Sequence, residues 1–73
     1  QPIVVYPNPV QTKLFIQTQA ELVRVRVIDV TGKEIAVNRD ENSINVAHLS
    51  DGYYQLLIET TKGNYQTKFI KNK

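Results

Sequence analysis

The most reactive side chains of this 73-residue chain fall in one short segment: His48, its only histidine, lies between Ser43 and Ser50 and shortly before Asp51. A serine, a histidine and an aspartate are the parts of a nucleophilic hydrolase, in which the imidazole takes the hydroxyl proton and the carboxylate orients the imidazole. Here they are only loop neighbours with no nucleophile elbow, and the chain has no Cys to act as nucleophile instead. A domain this small rarely builds the enclosed pocket such chemistry needs, so His48 reads as a partly exposed loop residue and no catalytic residue is assigned. Asp40, Glu41 and Asn42 offer oxygen ligands for calcium, but lack the spacing and the glycine of a calcium loop. They read as a solvated acidic loop, leaving no metal or cofactor site.

A second chemistry is nucleic-acid binding, for which Arg24, Arg26, Tyr53, Tyr65 and the C-terminal lysines supply cations and stacking groups on an OB-like barrel. Against it, the net charge is only +2, and no segment has room for the helix usually found between the third and fourth strands of that fold. Alternating Arg on an outward face more often keeps strands soluble and unpaired, and sugar binding by exposed tyrosines has no stronger support. The charge distribution is more informative than its sum. Residues 62–73 hold four lysines and no acid, whereas Asp40, Glu41 and Asp51 cluster mid-chain.

The elements that position these groups are strands. A chain of 8.4 kDa is one domain, expected to keep roughly 4,600 Å² accessible, and without Cys neither disulfides nor thiolate-bound metal can supplement its core. Abundant Val and Ile with frequent Thr and Tyr favour β structure. No apolar run approaches the eighteen or so residues of a membrane-spanning helix.

Residues 3–6 read as an edge strand halted by Pro7-Asn8-Pro9, because two prolines remove two backbone donors and disfavour helix at Tyr6 and Asn8. Leu14 and Ile16 point inward from Lys13–Gln17, with Phe15 outward. Val23, Val25 and Val27 are predicted to face the core, with Arg24 and Arg26 in solvent. Asp29-Val30-Thr31-Gly32 reads as a type I turn with a left-handed glycine, leading into a strand over residues 33–37, and Thr60-Thr61-Lys62-Gly63 repeats its chemistry. Residues 38–42 read as a polar loop and 43–46 as a brief strand. From Gly52 to Lys71 runs one long hairpin, with Tyr54, Leu56 and Ile58 facing Tyr65, Thr67 and Phe69 across the inner side. The connections are too short for crossover helices, so the expected fold is all-β: a small antiparallel immunoglobulin-like sandwich of about seven strands over residues 1–73.

Read in order, Val5-Tyr6-Pro7-Asn8-Pro9, Leu14-Phe15-Ile16, Val25-Arg26-Val27-Ile28-Asp29 with Gly32, Ile44-Asn45-Val46 with Leu49, Gly52-Tyr53-Tyr54-Gln55-Leu56 and Lys68-Phe69-Ile70-Lys71 resemble the C-terminal sorting domain of the type IX (Por) secretion system of Bacteroidetes. The resemblance covers essentially the whole chain. It implies a non-catalytic export address on a cargo protein joined covalently N-terminal to residue 1, in keeping with a chain that begins at Gln1 without methionine. It further implies passage through the periplasm, recognition by the outer-membrane translocon, delivery to the cell surface or medium, and removal by a sortase-like cysteine protease. Nucleic acid and membrane insertion have no place in it. Gly52 and Tyr54 match the family's Gly-x-Tyr motif and Lys68 and Lys71 its C-terminal lysines, while no Pro precedes Gly52, and Asn72 and Lys73 extend beyond the usual last residue.

On physical grounds Gly52 and Tyr54 read as mainly structural, along with Leu56, Phe69 and Ile70. Lys68, Lys71 and Lys73 read as flexible cations free to meet an acidic receptor. Deleting residues 71–73 is accordingly expected to leave stability unchanged. The competing assignment is an immunoglobulin-like adhesion or carbohydrate-binding module of the same architecture without an export role.

Overall fold

Period-two alternation becomes strand pairing in the computed structural model, which describes residues 3–72. The strands are β1 (Val4–Tyr6), β2 (Lys13–Gln17), β3 (Leu22–Ile28), β4 (Glu34–Ile35), β5 (Asn38–Arg39), β6 (Ser43–Asn45), β7 (Gly52–Thr60) and β8 (Gly63–Lys71). They form two four-stranded antiparallel sheets, ordered β1-β2-β6-β5 and β4-β3-β7-β8. With β4 set aside, the other seven strands have the order of a constant-type immunoglobulin domain. The expected sandwich is therefore present with one additional short strand. Its accessible surface, 4,814 Å², is close to that expected for a compact chain of this mass.

The core lies between the sheets, where Leu14, Ile16 and Ile44 meet Val27, Leu56, Ile58 and Phe69. Each such residue removed from water contributes about 1.5–3 kcal/mol before the cost of ordering the chain. β2 alternates buried and exposed as its sequence implies, and Phe15 on the outer side stacks on Tyr6 with ring centroids 5.6 Å apart.

Three local expectations are corrected. Val23 is 56% exposed and faces away from the core, because the register shifts between Leu22 and Arg24 and leaves Val23 as the additional residue of a bulge. Leu22 takes the inward place, while Val25 and Val27 point in as predicted. The strand expected over residues 33–37 is only β4, and residues 38–39 of the supposed loop form β5 in the other sheet. A chain that changes sheet between β4 and β5 cannot stay in one ladder.

The two glycine turns share one device. Asp29 Oδ1 accepts the Thr31 N–H at 2.9 Å, and Thr60 Oγ1 accepts the Lys62 N–H at 3.1 Å. Gly32 (φ +89°) and Gly63 (φ +139°) each occupy backbone conformations that L side chains rarely adopt. They differ in the ladder that follows: Thr60 pairs directly with Gly63, whereas Asp29 closes on Lys33, its N–H donating to the Lys33 carbonyl at 2.9 Å.

Candidate functional site

The residues first considered for chemistry do not assemble. His48 Nε2 lies 2.9 Å from the Ala36 carbonyl oxygen, a contact that requires this nitrogen to carry the proton and that involves no serine hydroxyl. Ser43 is buried in β6, and Asp40 pairs at the surface with Lys13 at 3.6 Å. Arg24 and Arg26 share the outer face of their sheet with Tyr53, but Tyr65 packs against the core from the inner face. Tyr65 is therefore absent from the surface that the arginines share with Tyr53.

What does assemble is one end of the sandwich. β7 starts at Gly52, whose φ of +145° is costly for other residues, and Gly52 pairs with Lys71 on β8. Two positions on, Tyr54 pairs with Phe69, and their rings stack with centroids 5.5 Å apart. The Tyr54 hydroxyl donates to the Ser50 carbonyl at 2.7 Å, so the ring is buried while its polar tip is satisfied. Leu56 and Phe69 are fully buried beside it, and Ile70 lies half-buried on the outer face opposite Tyr53.

From the far end of the sequence, the Tyr6–Pro9 corner arrives at the same place, with both the Tyr6–Pro7 and Asn8–Pro9 peptides cis. Asn8 Oδ1 accepts the Ile70 N–H at 2.9 Å, the Val10 N–H donates to the Ile70 carbonyl at 2.8 Å, and the Asn72 N–H donates to the Val10 carbonyl at 2.8 Å. Val10, fully buried, thus forms a parallel bridge with Lys71. The sequence reading passed over Val10 and the Asn8 side chain. An apolar residue directly after Pro9 was the available signal for the first; a contact to a residue 62 positions away had none.

Lys71 departs from the expectation of a free cation. It is only 4% exposed, because β8 continues through it and the alternation that puts Tyr65, Thr67 and Phe69 inside puts Lys71 inside too. Its ammonium donates to the Asn72 carbonyl at 3.2 Å, and it lines an open depression with Leu49, Ser50 and Asp51. Lys68, one face over, is exposed as expected. Lys73 lies outside the described residues.

Lys68 borders a shallow depression with Asp29, Val30, Tyr53, Tyr54 and Gln55. Val30 and Tyr53 are among the most exposed large apolar side chains, Tyr53 at 65%. The turn beneath is held by hydrogen bonds: Asp29 Oδ1 accepts from the Thr31 hydroxyl at 2.6 Å and the Lys33 N–H at 3.0 Å, and Gly32 N–H donates to the Asp29 carbonyl at 3.0 Å. Hydrogen bonding from the Thr31 hydroxyl, then from the Lys33 backbone, holds the Asp29 carboxyl below the usual carboxylate range. Such a surface, an aromatic and an aliphatic group beside a long cation, suits contact with another protein more than chemistry on a small molecule.

The profile of a protein family described as the secretion system C-terminal sorting domain matches residues 4–72, a span that includes this end of the sandwich. The chain belongs to this family. Comparison with curated proteins gives no match. Membership makes the chain a C-terminal sorting signal of type IX secretion, a system found in Bacteroidetes, whose cargo goes to the cell surface or beyond. Sorting domains are in general not catalytic.

Proposed function

We propose that this sorting domain directs a cargo joined N-terminal to residue 1 from the periplasm through the outer-membrane translocon, and that a sortase-like cysteine protease then removes it. The observation that carries the reading is the family match over residues 4–72. The recognised surface is the end of the sandwich where the Tyr6–Pro9 corner, Gly52–Tyr54 and Lys68 to Lys71 converge. Within it the residues divide by burial. Lys68, with Tyr53 and Val30, supplies side chains for the receptor, whereas Gly52, Tyr54, Phe69 and Lys71 hold the backbone that displays them. Lys73 remains a candidate contact.

Fusing the chain to a periplasmic reporter in a type IX-competent cell tests the reading. The reporter is expected at the surface or in the medium, and its retention in the periplasm overturns the export role. Export of the fusion in a cell lacking the sortase-like protease, with the domain still attached, is expected if removal follows translocation. Release of the domain in such a cell overturns that step.

A further inference from the structure

β8 is the outer strand of its sheet, and its far edge is used differently along its length. Toward β7, every position from Gly63 to Lys71 is paired. On the other side, Ile70 receives Asn8 and Val10, which shows that Ile70 aims its N–H and C=O outward. Strand alternation aims the backbone groups of Asn64, Gln66 and Lys68 the same way. Among the described residues nothing is hydrogen-bonded to them on that side.

An open strand edge is a template for another strand, and this one has a defined length and centre. The turn at residues 61–62 closes it at one end, and Asn8 and Val10 cover it from Ile70 at the other. The free run is 63–69, and its midpoint is Gln66. We propose that this edge pairs antiparallel with the same edge of a second copy of the chain about a two-fold axis at Gln66, joining two four-stranded sheets into one.

In that register the outward groups of Gln66 meet those of the partner copy's equivalent position, and Asn64 faces Lys68. The two chains then exchange about six backbone hydrogen bonds. Moving the axis to Lys68 sets lysine against lysine and brings Gln66 opposite Ile70, whose edge is already occupied. Moving it to Asn64 sets Gln66 against Lys62 in the turn. Only the central register uses the whole free run without a like-charge contact. It also covers the exposed side of Tyr65, which is half-buried against the core and faces Thr67 of the other copy. A seam this short falls below the roughly 1,200 Å² of a stable interface, so the dimer is weak and concentration-dependent. The pairing does not depend on the export role.

Sedimentation equilibrium over a wide range of concentration tests it. The expected result is a reversible rise in average mass from 8.4 kDa toward twice that value. Gln66 is exposed, so Gln66→Lys and Gln66→Glu leave the thermal melt unchanged, yet each sets like charges on the axis and is expected to weaken association at least tenfold. Mixing the two variants restores it as a heterodimer. A chain that stays monomeric at every concentration overturns the proposal. So does a dimer indifferent to both charges, as exchange of β8 between copies or pairing through another edge produces.

Discussion

Among the described residues, β8 has a neighbour on one side only over residues 63–69; at Ile70 and Lys71 it lies between β7 and the segment around Asn8 and Val10. Each part carries a lysine. Lys68 extends into solvent, while Lys71 is almost wholly covered. Identical side chains three positions apart thus do different work: one is available to a partner, and the other closes the end of the sandwich. A basic C-terminus is therefore not a uniform surface, and charge counted along the sequence overstates what a receptor can touch.

The contrast can be broken from the buried side first. Tyr54→Ala removes the ring that stacks on Phe69 and the hydroxyl that satisfies Ser50, and is expected to cost about 3–5 kcal/mol in a urea melt. An unchanged midpoint would show that the inward face is wrongly assigned. Deleting residues 71–73 removes the pairing with Gly52 and the Asn72 hydrogen bond that completes the bridge to Val10, and should cost about 2–3 kcal/mol at roughly 1 kcal/mol per bond lost. This reverses the sequence-based expectation of a dispensable tail, which a melting temperature equal to that of the intact chain would reinstate.

Smaller effects sharpen the boundary between the halves. Asn8→Ala frees the Ile70 N–H at a partly solvated edge and is expected to cost about 0.5–1 kcal/mol, with faster hydrogen exchange at Ile70 but not at Leu56. Lys68→Ala should shift stability by less than about 0.5 kcal/mol while lowering export of the reporter, so a mutant that is both stable and fully exported removes Lys68 from the signal. The smallest effect is expected at the turn beside Lys68. Because the Asp29 carboxyl is depressed when folded, its contribution is present above the ordinary carboxylate range and lost as pH falls through its folded pKa. In acid titration the stability advantage of the parent over Asp29→Asn should hold above about pH 4 and shrink below it.

Much of this was legible because the relevant signals are local. Leu14 and Ile16 inward with Phe15 outward, the Asp29–Gly32 turn and the inner row Tyr54, Leu56 and Ile58 all follow from alternation and turn chemistry within a few residues. The same alternation, carried two positions past Phe69, placed Lys71 inside, but its charge argued for solvent. Val23 was misplaced because a bulge is a mismatch between two strands, visible only when both are paired. The landmarks were legible one by one, yet nothing in their order says that the proline corner touches the last strand.

By itself the sequence determined the family, most of the strands and most of their inward faces; a two-residue period and turn residues constrain φ, ψ and side-chain direction wherever a strand is placed. Only the tertiary structure decided which sheet β4 and β5 join, where β8 is covered and where it is open, and that Lys71 is buried. Those outcomes depend on backbone groups finding partners far away along the chain. A period of two cannot encode a hydrogen bond between Asn8 and Ile70.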